Sequence, residues 1–326
     1  MRFGAFVPQG WRLDLLDIPQ EAHWPTMLGV AKAIETSGYE SLWVFDHFHT
    51  VPIPTQEVTY EAWTLMAALA AGTDRVRLGQ MCTCNGYRNP AYLAKVAACV
   101  DVISGGRVEM GIGAGWYEHE FVAYGYEFPA PSVRLGQLRE AVEIMRRLWT
   151  EEAVHHDGRY YKIDGAICSP RGVQEPHIPI WVAGDGERLT LNIAARHAQY
   201  TNFGDTVDEF LHKSRVLADH CRDVGRDVTE ITRSTNFTMV CAATEAAVAE
   251  LRSEALSKYR RFVSGDRIGR IERGWLRIAG TPEQLVAELR PWKDAGLDYA
   301  IVSFVGAAYD TSGLELFARE VIPALG

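Results

Sequence analysis

The sequence has no run approaching the roughly 18 apolar residues that a membrane span requires. It contains no low-complexity tract and no linker-like stretch rich in Gly, Pro or Ser. Cysteine is scarce, six residues in 326 (82, 84, 99, 168, 221 and 241), and the spacing does not repeat. The one close pair, Cys82 and Cys84, is C-x-C and not C-x-x-C. A disulfide framework is therefore not expected, and reduced thiols in a cytoplasm are. Basic charge is also short: 33 Lys and Arg stand against 42 Asp and Glu, for a net charge of −9. That balance argues against a nucleic-acid surface. The first residues, "MRFGAFVPQG", lack the apolar core and cleavage site of a signal peptide, so export is not expected. A small molecule remains as the expected partner, with neither nucleic acid nor membrane.

What the chain does have is alternation. Continuous or period-2 apolar runs take turns with 3.6-period runs from end to end. "RFGAFVP", "SLWVFDH", "VRLGQMCT" and "RVEMGIGAG" read as the first four strands. "IPIWVAG", "AQYTNFG", "EITRSTNFTMVCA" and "YAIVSFVG" read as the last four. Between them lie helical patterns with clear punctuation. Asn89 is placed as an N-cap with Pro90 at the first helical site and a Gly pair as the stop. Thr281 and Gln284 stand in capping-box positions around Pro282. Leu135, Leu138, Val142, Met145 and Trp149 form one apolar helix face.

Eight strands, each followed by helical material, predict a (β/α)8 TIM barrel, an α/β fold formed by residues 1–326 as one domain. A doubly wound open sheet is the alternative. Two segments stand outside the repeat, near 151–178 and 260–279. Unstructured stretches of that length are usually functional loops, and both are read as insertions.

In a barrel the functional groups sit at the C-terminal ends of the strands. The second strand ends in Asp46, His47 and His49, costly groups to bury unless paired or working. Two apart on a strand, His47 and His49 would face one way and could begin a metal site. The later strand ends supply no further histidine, so no metal is expected. The other use is acid–base work by His47 beside Asp46. "GIGAGW" (111–116) carries a G-x-G-x-G spacing, which fits either backbone approach to a ligand or close packing. "AGDGER" (183–188) places two glycines before a helix whose first N–H groups could face an anion, with Arg188 nearby. A tight turn in which Asp185 caps the helix is the plain alternative.

These residues together resemble the luciferase-like monooxygenase family, and within it the branch that uses the deazaflavin coenzyme F420. The resemblance is carried by "LWVFDHF" (42–48), by the block from "YRNPAYLAKV" to "GIGAGWYEHEFVAYGYEF" (87–128), by 178–203 and by 279–304. It implies a barrel holding a deazaflavin or flavin at its C-terminal rim. It implies a non-prolyl cis peptide within Gln80 to Thr83, at Met81–Cys82, so that Met81, Cys82 and Thr83 border the cofactor. Asp46 matches a position contacting the ring system, and His47 the residue that handles the substrate proton. Gly113, Ala114 and Gly115, with Gly184, Asp185, Gly186 and Arg188, match the region of the cofactor tail. Asn202 joins that set from the rim of the sixth strand. His49 and Trp116 are placed in the substrate pocket.

Trp116 is a departure, because the sugar-phosphate dehydrogenases of the branch carry a glutamate there. The resemblance thus implies an F420-dependent oxidoreductase that reduces a conjugated carbonyl or imine, with His47 as proton donor. An FMN-dependent monooxygenase fed by a separate reductase is the alternative. A non-catalytic flavin-binding protein and a metal-dependent hydrolase are further rivals. A homodimer, with the second and third barrel helices in contact, is also implied.

Overall fold

Strands that are buried at every position, without alternation, belong to parallel sheets covered on both faces. Ser41–Val44 and Val108–Gly113 are buried throughout, and Arg2–Phe6 at all but its first residue. The computed structural model describes all 326 residues. Its first half runs β1 (Arg2–Phe6), α1 (Gln20–Thr36), β2 (Ser41–Val44), α2 (Ala62–Gly72), β3 (Arg77–Gln80), β4 (Thr83–Cys84), α3 (Pro90–Ser104), β5 (Val108–Gly113), α4 (Glu118–Ala123) and α5 (Pro131–Thr150). The second half runs β6 (Val154–Asp157), β7 (Lys162–Ala166), β8 (Ile180–Ala183), α6 (Thr190–His197), β9 (Tyr200–Asn202), α7 (Val207–Asp223) and β10 (Thr232–Cys241). It closes with α8 (Glu245–Arg260), α9 (Asp266–Arg273), β11 (Ile278–Gly280), α10 (Pro282–Asp294), β12 (Tyr299–Phe304) and α11 (Ser312–Leu325).

The plan is that of the (β/α)8 barrel, with parallel strands in two compact units. One unit comprises Met1–Glu61 and Ser234–Gly326, the other Ala62–Arg233. In the first, β10, β12, β1 and β2 lie side by side in parallel, and β11 pairs with the end of β10. Gly4 stands opposite Ser41, and Arg2 opposite Tyr299. The Trp43 indole donates to Ser41 Oγ, which also shares a 2.6 Å hydrogen bond with the Tyr299 hydroxyl. A Cβ on Gly4 would stand 2.6 Å from Trp43 Nε1, so glycine is what admits this chain of polar groups.

In the second unit β3, β5, β8 and β9 run parallel, and β4 continues beside β5. "VRLGQMCT" therefore does not form one strand: it breaks at Met81–Cys82, a cis peptide bond that is not prolyl. Glu109 is buried on β5 because Trp181 Nε1 donates to it at 2.7 Å and Arg77 pairs with it.

The helix boundaries follow their caps. Asn89 Oδ1 accepts from the Ala91 amide at 2.9 Å, and Gly105 closes α3 in the left-handed region. Gln284 Oε1 accepts from the Thr281 amide at 3.0 Å, completing the capping box of α10. On α5, Leu138, Val142, Met145 and Trp149 are buried and Leu135 is half-buried.

Neither of the two segments outside the repeat is structureless. Within 151–178, β6 and β7 form an antiparallel hairpin. Its turn is tied to α5 by Glu140, which accepts the amides of Arg159, Tyr160 and Tyr161 at 3.0–3.1 Å. Burial works against that charge, but these amides and His156 hold the Glu140 carboxyl below its usual range. Within 260–279, α9 and β11 replace the expected loop. Ile271 and Leu276 are buried there with Val263 and Leu256, a core that the charged residues between them conceal in the sequence.

His197, the last residue of α6, carries a pH dependence. Burial first, then the charge of Arg146, pushes its imidazole down to about 4 from 6.5. Below about pH 6.5 the unfolded chain takes up a proton that the folded one refuses until near pH 4. Stability should thus be flat above that window and fall by about 1–2 kcal/mol through it, after allowance for partial exposure. Urea unfolding at about pH 7 and about pH 4.5 checks this, and His197→Gln should remove most of the difference.

Candidate active site

The site begins, in the first unit, with the way β2 ends. The strand stops at Val44, and the buried Gln9 side chain then takes over the role of a neighbouring strand. Its Oε1 accepts from the Phe45 amide at 2.5 Å, and its Nε2 donates to the Phe45 carbonyl at 2.8 Å and to that of Tyr60 at 3.0 Å. Phe45 stacks on Phe6 at 4.1 Å, nearly parallel. Held this way, the chain leaves Asp46 buried, 2 % exposed, and brings the His47 ring flat against Trp11, 4.2 Å between centroids and 2° between planes. His49 is half-buried. Residues 46–49 are not in a strand, so the same-face argument for His47 and His49 fails: the strand ended too early. No group of three or more His, Cys, Asp or Glu is placed to hold a metal.

Beside this lies a cavity of about 330 Å3, bounded by Phe6 and Pro8 after β1, Thr238 on β10, Ser303 and Val305 at the end of β12, and Trp275. Arg12 enters it half-buried. Its guanidinium lies over the rings of Trp11, Phe45 and Trp275, 5.0–5.3 Å from their centroids. Nη1 donates to the Thr238 hydroxyl at 2.5 Å, while Nε has no acceptor. Asp14 takes the Gly10 amide at 2.6 Å, and burial raises its carboxyl above the ordinary value. Gly10 has φ +96°, and a Cβ there would fall on the Val58 carbonyl oxygen, so only glycine makes this turn.

In the second unit the cis peptide stands at Met81–Cys82, where the resemblance placed it. Met81 and Thr83 are buried and Cys82 is half-buried. Thr83 Oγ1 donates to Gln80 Oε1 at 2.7 Å, which leaves the buried Gln80 Nε2 with no acceptor. Gly113 is packed close: a Cβ would lie 2.6 Å from Cys82 Sγ. Ala114 and Gly115 follow, half-buried, with Gly115 at φ +81° against Cys84 and Phe121.

Gly184 has φ +128° and donates its amide to the Asn202 carbonyl at 3.0 Å. Asn202 itself is 8 % exposed. The helix expected directly after these glycines starts later, at Thr190, and ends at His197. Asp185 does not cap it. Its carboxylate instead accepts from Lys213 Nζ at 2.6 Å and from the Gly204 amide at 3.0 Å, which ties the loop to α7. Gly186 and Arg188 are exposed. Trp116 is 62 % exposed and stacks on Tyr117 at 5.0 Å.

The turn after β1 also belongs to the site and has no regular pattern to announce it. Its signal was a glycine followed at once by Trp11, Arg12 and Asp14, apolar and charged groups mixed where a strand has just ended. Gln9 and Gln80, both buried and both orienting a strand end, also went unnoticed.

The family profile of the luciferase-like monooxygenases matches residues 1–299. An F420-dependent glucose-6-phosphate dehydrogenase of Nocardia farcinica (strain IFM 10152) is 30% identical over 322 residues, covering 92% of this chain and 93% of the relative. Among solved structures, an F420-dependent secondary alcohol dehydrogenase in complex with an F420–acetone adduct superposes with a TM-score of 0.79 at 22% identity, covering 100% of this chain and 99% of that one. A monooxygenase from Streptomyces bottropensis gives 0.80 at 23%, with 100% of both chains covered. The superpositions fix the fold as the barrel and set aside the doubly wound sheet. The chain belongs to the luciferase-like monooxygenase family.

Proposed function

We propose that this chain, an oxidoreductase dependent on F420 or a flavin, uses coenzyme F420 to reduce a conjugated carbonyl or imine in a small organic substrate. The observation that carries the reading is the Asp46–His47 pair. A carboxyl group buried at a strand end is followed by an imidazole held flat against Trp11, an oriented ring of the type that general acid–base work uses. The names of the relatives that align along nearly the whole chain support F420 as the coenzyme.

The residues of the second unit fit a flat ring with a polar tail. Gln80 Nε2 is a buried donor without an acceptor. At Gly184 a Cβ would meet nothing nearer than Thr190 Cγ2 at 3.5 Å, which leaves the backbone open to close approach. Met81, Cys82, Thr83 and Gly113 would border the ring, and the segment Gly184 to Arg188 with Asn202 the tail. The coenzyme, when bound, supplies a hydride. Asp46 and His47 do the rest: the carboxylate side orients, and the imidazole delivers a proton to the substrate atom that gains the electron pair. His49 in the first unit and Trp116 in the second are further candidates for contact with the substrate. Exposed Tyr92, Val102 and Ile103 on α3 support pairing of two copies.

The test is a titration of the purified chain with F420 and with FMN, followed by native mass spectrometry. F420 should bind at least about tenfold more tightly, a difference near 1.4 kcal/mol. Preferential retention of FMN would replace the reading with the flavin monooxygenase one.

A further inference from the structure

The cavity beside Arg12 holds a cation to which no carboxylate of the protein is hydrogen-bonded, although the charge of Asp14 offsets part of it. Charges inside proteins are paired as a rule, since desolvation of an isolated one is costly. Arg12 has a hydroxyl and three aromatic faces around it, and an Nε with no acceptor. The other charged groups of the lining are differently engaged. Asp14 is turned to the Gly10 amide. Lys258 rests its ammonium on the Tyr309 ring, 3.1 Å from the centroid. Asp310 caps α11 through the Ser312 amide and hydroxyl at 2.9 and 2.7 Å, and Glu254 is exposed at the edge. Much of the remaining wall is apolar, from Phe6, Leu13, Leu251, Ala255 and Leu276.

We propose that this cavity binds an organic acid whose carboxylate pairs with Arg12 and whose apolar body lies on Trp275 and Leu251. A guanidinium offers a carboxylate parallel N–H donors, and with only Nη1 engaged by Thr238 and the shielded Nε without an acceptor, the protein leaves part of that donor capacity unfilled. Around 330 Å3 suits a molecule of one ring and a short chain. The inference deepens the proposed function by naming the substrate as an acid, and it rests on that reading only in taking the bound acid to be the molecule reduced.

The probe is 4-phenylbutyrate, compared with the uncharged 4-phenylbutan-1-ol, titrated calorimetrically into the full chain with F420 binding measured separately. The acid should bind at least about tenfold more tightly than the alcohol. Arg12→Gln should erase that preference while leaving alcohol and F420 binding within about twofold, and Arg12→Lys should keep part of it. As a check that needs no variant, the acid should slow phenylglyoxal modification of Arg12 in the wild-type chain, followed by peptide mass spectrometry, and the alcohol should not. Equal binding of acid and alcohol, no binding of the acid, or no protection of Arg12 would overturn the proposal. Loss of F420 affinity in Arg12→Gln would overturn it differently, by assigning the cation to the acidic groups of the coenzyme. A chain that takes the acid but never F420 would sink the coenzyme reading alone.

Discussion

Replacing His47 with phenylalanine is expected to lower turnover by about 100- to 1,000-fold while leaving F420 affinity within about twofold, because the loss falls on proton transfer alone. Phenylalanine is the informative choice. It can keep a flat ring against Trp11, where the imidazole now lies at 4.2 Å, but has no proton to give. A stability change should therefore be small, and the unfolding temperature is the control. Each hydride that reaches a carbonyl or imine leaves an electron pair needing a proton. Removing the oriented donor leaves water to supply it, and the reaction slows by what general acid catalysis contributes. His47→Ala adds a void beside Trp11 and so confounds packing with chemistry. The measurement is single-turnover oxidation of reduced F420 by a conjugated ketone, set beside an equilibrium titration of the coenzyme. If the phenylalanine variant turns over at the wild-type rate, His47 is a packing residue and the assigned role is wrong.

Local signals were legible in the sequence wherever they act locally. The Asn89 cap and the Thr281–Gln284 box need only their neighbours and stand where the sequence puts them, whereas the buried strands are in place but end earlier at Val44 and break at Met81–Cys82. The position of the cis bond at Met81–Cys82 came from the resemblance, since nothing in "GQMCT" announces it. α9 was lost because Arg267, Arg270, Glu272 and Arg273 outnumber its apolar residues, and only contact with the rest of its core makes Ile271 an inside position. The Arg12 cavity could not be read at all. It joins residues 6–14 to 238, 258, 275 and 303–309, and no periodicity links segments so far apart. The same distance hid the role of Gln9, which stands in for a strand beside Phe45, 36 residues on. At Asp185 it is the plain alternative, a tight turn with its carboxylate as helix cap, that fails: Lys213 and the Gly204 amide take the same oxygen.

Arg107→Met is expected to destabilise the chain by about 3–5 kcal/mol, since several buried acceptors lose their donor at about 1–3 kcal/mol each and some can turn to water. Arg107 is 9 % exposed, and its guanidinium is shared among structures that would otherwise be independent. Nε donates to the Ser104 carbonyl at 2.7 Å, at the end of α3. Nη1 donates to Thr73 Oγ1 and the Val76 carbonyl at 2.9 and 2.8 Å, and Nη2 to the carbonyls of Ala70 and Thr73 at 2.7 and 2.8 Å. Two helix C-termini thus give their free carbonyls to one cation, which also sits at the favourable end of both helix dipoles. The Arg107 carbonyl meanwhile accepts from the Leu78 amide at 2.9 Å, so the same residue sets β3 against β5. Methionine fills much of the volume but leaves four carbonyls to find water in a buried place. Lysine restores the charge without the planar fork and should recover less than half of the loss. Urea unfolding at neutral pH reads the difference directly, and the unfolding temperature should drop by about 5–10 °C. A midpoint within about 0.5 kcal/mol of wild type, the range of ordinary surface substitutions, would mean that the clamp is an ornament of the fold and not a support.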